Sequence, residues 1–313
     1  VRTAFIEALE QLAAEDDRVC LVVGDLGYSV VESFAEHFPD RFVNAGVAEQ
    51  NMTGMAAGMA LSGMVVFTYS IANFPTLRPL EQVRNDVCYH RANVKIVAVG
   101  GGLAYGALGV SHHAAEDLAV MRALPEMTVV APGDPVEARL ATRAVAAHDG
   151  PCYLRLGKAG EPVVHQTDPD FVLGRAILMR DGTDLALLST GAMLATAAAV
   201  AEEMERRGVS TRLVSMPTLK PLDEAAVTAA ARETGQVFTL EEHSVIGGLG
   251  SAVAEVMAEI GESHAPLKRI GLKPEFTRVA GGHEYLKQQH GLDLESVVAT
   301  IAAEMEKRSG MVG

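Results

Sequence analysis

Asn44–Ala60 reads NAGVAEQNMTGMAAGMA. A turn of small residues opens into a helical run in which a single acid, Glu49, stands among alanines, methionines and glycines. Short β-branched runs flank this helix, Val19–Val23 before it and Val65–Tyr69 after it. Apolar runs without strict alternation suit strands covered on both faces, and a helix between two of them is the repeating unit of a parallel sheet.

Further strands are expected at Val94–Val99, Thr128–Ala131 and Cys152–Leu156, with amphipathic or Ala-rich segments between. After Gly157 the period is lost in a stretch holding Pro162, His165, Gln166, Asp168 and Pro169. A second, smaller alternation follows, with strands at Leu185–Ser189, Ser210–Ser215 and Val237–Leu240. Helices are expected near Ala192–Arg207, Asp223–Glu233 and Gly250–Ile260, and a closing helix over Leu294–Lys307 carries basic residues in its last turn. The 313 residues therefore divide into an α/β domain over 1–165, a linker over 166–182 and an α/β domain over 183–313.

Hydrophobic residues make up 49% and charged residues 21%, the balance of a folded globular protein. A net charge of -14 without clustered Lys and Arg argues against a nucleic-acid partner. No apolar stretch reaches the roughly 18–20 residues needed to cross a bilayer and no signal-peptide layout is seen, so a cytoplasmic location is expected, away from membranes. Cys20, Cys88 and Cys152 lack metal-ligand spacing and read as core thiols of a reducing compartment.

Glu49 admits two readings. An acid in the first turn complements the helix dipole. A carboxylate desolvated among apolar neighbours also has its pKa raised from about 4.3, which suits acid-base work. Gly54 and Gly58 leave one helix face nearly bare, fit for either tight internal packing or a subunit interface.

Five segments in register closely resemble the C-terminal half of a split, two-subunit transketolase. They are GDL at Gly24–Leu26, the Asn44–Ala60 run, LEQVRND at Leu80–Asp86, SHHAAED at Ser111–Asp117 and EEHSVIGGLGSAVAE at Glu241–Glu255. The resemblance extends from Arg2 to about Val298. It implies a parallel-sheet thiamine pyrimidine-binding domain followed by a smaller α/β transketolase C-terminal domain, acting in ketol transfer from a ketose to an aldehyde with thiamine diphosphate as cofactor.

Carried over residue by residue, the resemblance puts the family's catalytic glutamate at Glu49, against the aminopyrimidine ring, and its substrate-contacting histidine at His112. Phe74 matches the aromatic contact on that ring, with Tyr69 and Ile71 beside it, and Asp25 and Leu26 match a cofactor-contacting turn. Arg2, Ser29, Arg155 and Lys158 match positions that hold an anionic group of the substrate. GGLGS at Gly247–Ser251 reads as a packing turn and is assigned no ligand.

The family's GDG motif for the metal is missing; Gly133-Asp134-Pro135 and Arg180-Asp181-Gly182 are its nearest relics. No metal ligand is therefore assigned to this chain. The resemblance puts Mg2+ or Ca2+ and the diphosphate on a separately encoded partner subunit, in an α2β2 assembly. Gly100 and Leu108 stand where transketolases carry a substrate-contacting histidine and aspartate, and Leu77 replaces a tyrosine. An apolar residue facing a sugar hydroxyl costs about 1–3 kcal/mol, which points to a specialised sugar. The competing readings are a decarboxylating relative, either a 2-oxo-acid dehydrogenase β subunit or a deoxyxylulose-phosphate-synthase-like enzyme, and a catalytically silent partner subunit.

Overall fold

The computed structural model describes residues 1–261 and 263–309. Helix α1 (Arg2–Glu15) leads into β1 (Val19–Val23), α2 (Glu32–His37) and β2 (Phe42–Asn44); α3 (Glu49–Leu61) then returns the chain to β3 (Val65–Ile71). Two short turns, α4 (Phe74–Leu77) and α5 (Leu80–Gln82), run on into π-helical turns over Val83–Cys88 before β4 (Val94–Val99). α6 (Asp117–Ala123), β5 (Thr128–Val130), α7 (Pro135–Ala147) and β6 (Cys152–Leu156) complete the unit.

These six strands are parallel and lie in the order β2, β1, β3, β4, β6, β5. Every residue of β1, β4 and β6 is buried, which is why they read as unbroken apolar runs. The chain leaves β1 to one side for β2 and to the other for β3. The crevice beyond the C-terminal ends of β1 and β3 is thus a topological switch point, where open α/β sheets take their ligands.

The second unit contains β7 (Ile177–Arg180), β8 (Leu185–Ser189), α8 (Leu194–Arg206), β9 (Thr211–Ser215), β10 (Thr218–Lys220), α9 (Glu224–Glu233) and β11 (Val237–Ser244), followed by α10 (Leu249–Glu259), β12 (Leu267–Leu272), α11 (His283–Gln289) and α12 (Leu294–Ser309). Its sheet runs β12, β11, β8, β9, β7, with β7 antiparallel at one edge. Two features depart from the sequence reading. The expected linker over 166–182 ends in a strand, because Ile177–Arg180 pairs with β9. β10 leaves the second unit altogether and pairs antiparallel with β5, extending the first sheet to seven strands.

The units also share a core. Ala186, Leu188 and Val214 of the second sheet belong to the same apolar cluster as Val94 and Ile96 of the first. Leu103, from the loop after β4, is fully buried among Leu185, Leu187 and Phe238. Cys20, Cys88 and Cys152 are buried free thiols, each pushed up to about 11 by burial.

Candidate functional site

Glu49 is the first residue of α3 and opens onto the switch-point crevice, yet it is only 4% exposed. Arg78, at the end of α4, donates from Nη1 to its Oε1 at 2.8 Å. Oε2 has no hydrogen-bond partner among the described residues. The lone desolvated acid expected from the sequence is thereby corrected: the chain supplies a counter-charge of its own. The Arg78 guanidinium also lies 4.1 Å over the Phe74 ring, and Phe74 meets the His112 imidazole edge-on at 5.1 Å. Asn73 donates to the Ser111 carbonyl at 2.8 Å, and the Ser111 hydroxyl reaches His112 Nδ1 at 3.0 Å. Loops after β3 and β4 are thus tied together, and Glu49, Phe74 and His112 become one cluster, Arg78 joining Glu49 to Phe74 and Phe74 in turn meeting His112.

The turn after β1 borders this cluster. Asp25 adopts φ +57° and exchanges two hydrogen bonds with Asn44, at 3.1 and 2.9 Å, while Asn44 also accepts from Gly46 N–H. Asn44 therefore fastens the ends of β1 and β2 beneath the segment that leads to Glu49. Leu26 is half-buried in the same turn, and Ile71 half-buried at the end of β3. Ser29 is exposed, with its N–H given to Glu32.

Two expected ligand residues, Tyr69 and Arg155, are buried, and a third, Arg2, is half-buried. Tyr69 is buried, stacks on Phe5 at 6.0 Å, and has its phenol pushed up by burial. Arg2 lies beside Tyr69 and Tyr105, its Nε buried and without a hydrogen-bond partner among the described residues. Arg155 is 4% exposed, and its guanidinium is committed to Asp117 at 2.8 and 3.2 Å and to the carbonyls of Ala114 and Glu242. From sequence Arg155 is expected as a strand-end cation that binds substrate. The structure makes it a strut between the two units, because Glu242 comes from β11. Lys158 alone of the basic set is exposed, its Nζ 4.9 Å from the Tyr105 ring at the wall of a cavity of about 770 Å3 between the units.

The departures from the family pattern have local explanations. Gly100 has φ +78° and a Cβ there would lie 2.1 Å from the Tyr105 ring, so a larger residue is sterically barred. Leu77 and Leu108 are both exposed, on the turns beside Phe74 and His112. Asp134 of the Gly133-Asp134-Pro135 relic caps α7 and accepts from Val164 and His165 N–H, so both its oxygens are occupied. At the N-terminus of α10 the glycine run meets the chain's own Glu241, which accepts from Leu249 and Gly250 N–H. Burial raises that carboxyl to about 7. Among the described residues no group of three His, Cys, Asp or Glu side chains is placed to hold a metal ion.

Arg78, Asn44 and Asn73 were missed from sequence. Arg78 closes the helical turn that Phe74 opens, a spacing that brings the two onto one face, and this was the available signal. The two asparagines act across the fold and leave no local pattern.

Two family models match the chain: the transketolase pyrimidine binding domain over residues 1–160 and the transketolase C-terminal domain over residues 174–297. A putative transketolase C-terminal section of Methanocaldococcus jannaschii is 39% identical, covering 98% of this chain and 96% of that protein. One subunit of the apulose-4-phosphate transketolase of Phocaeicola vulgatus is 38% identical, covering 98% of this chain and 97% of that protein. A solved structure described as a split gene transketolase, inactive beta4 tetramer, superimposes with a TM-score of 0.87 at 40% identity, covering 97% of each chain.

Proposed function

The chain belongs to the transketolase family, and on that premise we propose that it is the pyrimidine-binding subunit of a two-subunit, thiamine-diphosphate-dependent transketolase. One observation carries the reading: at the switch point a buried carboxylate, Glu49, keeps one oxygen on Arg78 and the other without a partner among the described residues, beside the half-buried Phe74 ring. That set fits the aminopyrimidine end of the cofactor, which needs an acceptor for a ring N–H and a flat apolar surface. When bound, the cofactor supplies the electron sink for breaking a carbon–carbon bond.

The chain's residues do the rest. Glu49 Oε2 holds a proton shared with the ring, and Arg78 fixes the direction of that carboxylate through Oε1. Phe74 offers the stacking surface. His112, oriented by the Ser111 hydroxyl on Nδ1, directs its other ring nitrogen to a substrate oxygen. Asp25 and Leu26 border the cofactor, with Ile71 at its edge. Lys158 holds an anionic group of the substrate.

The diphosphate and its Mg2+ or Ca2+ belong to a partner chain in an α2β2 cytoplasmic assembly. Support comes from the names of the relatives, one a section and one a subunit of a transketolase, and from the α3 face, where a Cβ at Gly58 would meet nothing within 4 Å among the described residues and Leu61 stands exposed, with Val47 exposed in the turn before the helix. Internal packing among the described residues does not account for Gly58, whereas a Cβ at Gly54 would lie 3.9 Å from Asp86. The exposed Leu77 and Leu108 support a specialised sugar substrate, as does a relative named for apulose 4-phosphate.

Calorimetric titration with thiamine diphosphate and magnesium tests the division of labour. The chain alone is expected to bind weakly, and its mixture with a metal-binding partner tightly. Tight magnesium-dependent binding by the isolated chain would contradict the proposal.

A further inference from the structure

The loop from Gly100 to Ala114 carries His112, and its anchorage lies in the other α/β unit. Leu103 N–H donates to Glu242 Oε1 at 2.6 Å, and the Leu103 side chain is fully buried in the core of the second sheet. His283, first residue of α11, places Nε2 at 2.8 and 2.9 Å from the two oxygens of the same carboxylate. Gly102 has φ +67°, and a Cβ there would lie 2.7 Å from the Glu242 side chain and from its carbonyl oxygen, so only glycine lets the loop approach this closely. Farther along, a Cβ at Gly106 would strike Leu286 at 2.2 Å, and Gly102 and Ala114 exchange two backbone hydrogen bonds of 2.9 Å that close the loop. Glu242 is 2% exposed whereas His283 is 31% exposed, on the wall of the cavity between the units.

We infer that Glu242 and His283 are positioning residues, a carboxylate–imidazole clamp through which the second α/β unit holds the His112 loop in its working geometry. The inference rests on the role proposed for His112, but the clamp itself is a property of this chain. A buried carboxylate between one N–H and one imidazole accepts from Nε2–H of the neutral or the charged ring, but only the charged ring also balances its charge and strengthens the hydrogen bond. Burial works against the charged ring, while the Glu242 hydrogen bond and charge outweigh it and leave His283 above its ordinary value. Lys287 opposes the charged ring and Glu284 favours it, both from α11; Glu242 is the charged group facing it from β11. A folded-state value raised above the unfolded one makes the charge-dependent part of the clamp fully present below about pH 6.5 and lost as pH rises through the higher folded value.

Hydrogen exchange of the 100–114 segment, corrected for intrinsic rates, tests this on the whole chain without any assay of activity. In the parent protein, protection of Leu103 and its neighbours should fall at least tenfold between pH 6 and pH 9, with β3 unchanged. His283→Ala should remove most of that protection at both pH values. His283→Gln, which still donates to Glu242, should restore part of it and abolish the pH dependence. Protection that is equal in all three proteins, or a pH dependence that survives in His283→Gln, overturns the clamp. In the reconstituted enzyme His283→Gln should lower kcat more than it raises KM, with no further loss when His112 is already replaced. A clamp seen by exchange in an enzyme without ketol transfer would refute the proposed function alone.

Discussion

Replacing Asp117 with alanine should destabilise the chain by about 3–5 kcal/mol, the cost of stranding a buried charge by removing its partner. The Asp117 side chain is 1% exposed and that of Arg155 4%. Asp117 accepts from Arg155 Nε at 2.8 Å, from Arg155 Nη2 at 3.2 Å and from the Tyr153 hydroxyl at 2.6 Å. Without it the guanidinium keeps only the neutral carbonyls of Ala114 and Glu242, which cannot balance its charge. With an unfolding entropy of about 2.1 cal/mol/K per residue, a chain of this length loses about 1 °C of Tm for each 0.66 kcal/mol, so the expected drop is about 5–8 °C. Tyr153→Phe removes one hydrogen bond and should cost about 1 kcal/mol, or about 1–2 °C. Scanning calorimetry at pH 7 reads both. If Asp117→Ala melts within 1 °C of the parent, the description of Arg155 as an internal strut is wrong.

Arg78→Ala should cost less, about 1 kcal/mol by thermal melting, because Arg78 is 47% exposed and its charge is screened by solvent. Arg78→Lys should recover only part of the loss, since an ammonium does not reproduce the guanidinium contact on Phe74. Burial pulls His243 down to about 4. Its contribution to stability is therefore present above the unfolded value of about 6.5 and lost as pH falls through about 4, and His243→Asn should remove that share of the acid loss in urea titrations between pH 4 and 7. Leu108→Asp should raise kcat/KM for ordinary sugar phosphates by about fivefold to 150-fold, the value of about 1–3 kcal/mol for satisfying one hydroxyl; an unchanged ratio would mean that this position does not face the sugar.

The buried strands were legible because a parallel sheet needs both faces apolar, and VCLVV, VKIVAV and CYLRL announce it directly. Edge strands were not. FVN in β2 and ILMR in β7 are short and half-buried, so neither an unbroken run nor a clean alternation marks them. β10 was invisible for another reason: three residues from the second unit complete the first sheet, a long-range pairing with no local signature. At the site, Glu49 stood out because an acid among small residues is anomalous, and the structure keeps it buried. Arg2 and Arg155 look solvent-facing from sequence, at a helix start and a strand end, until the residues that surround them are in place: Tyr69 and Tyr105 for Arg2, Asp117 and Glu242 for Arg155. Arg155 in particular is explained only by Asp117 and Glu242, 38 and 87 residues away.

The most direct test is the rate of ketol transfer by the reconstituted two-chain enzyme with Glu49→Gln in place of the parent subunit. Loss of the proton-sharing oxygen should lower kcat by about 100-fold to 10,000-fold, with the assembly and its fold intact by sedimentation and circular dichroism. An assembled Glu49→Gln enzyme that turns over at the parent rate would contradict the account.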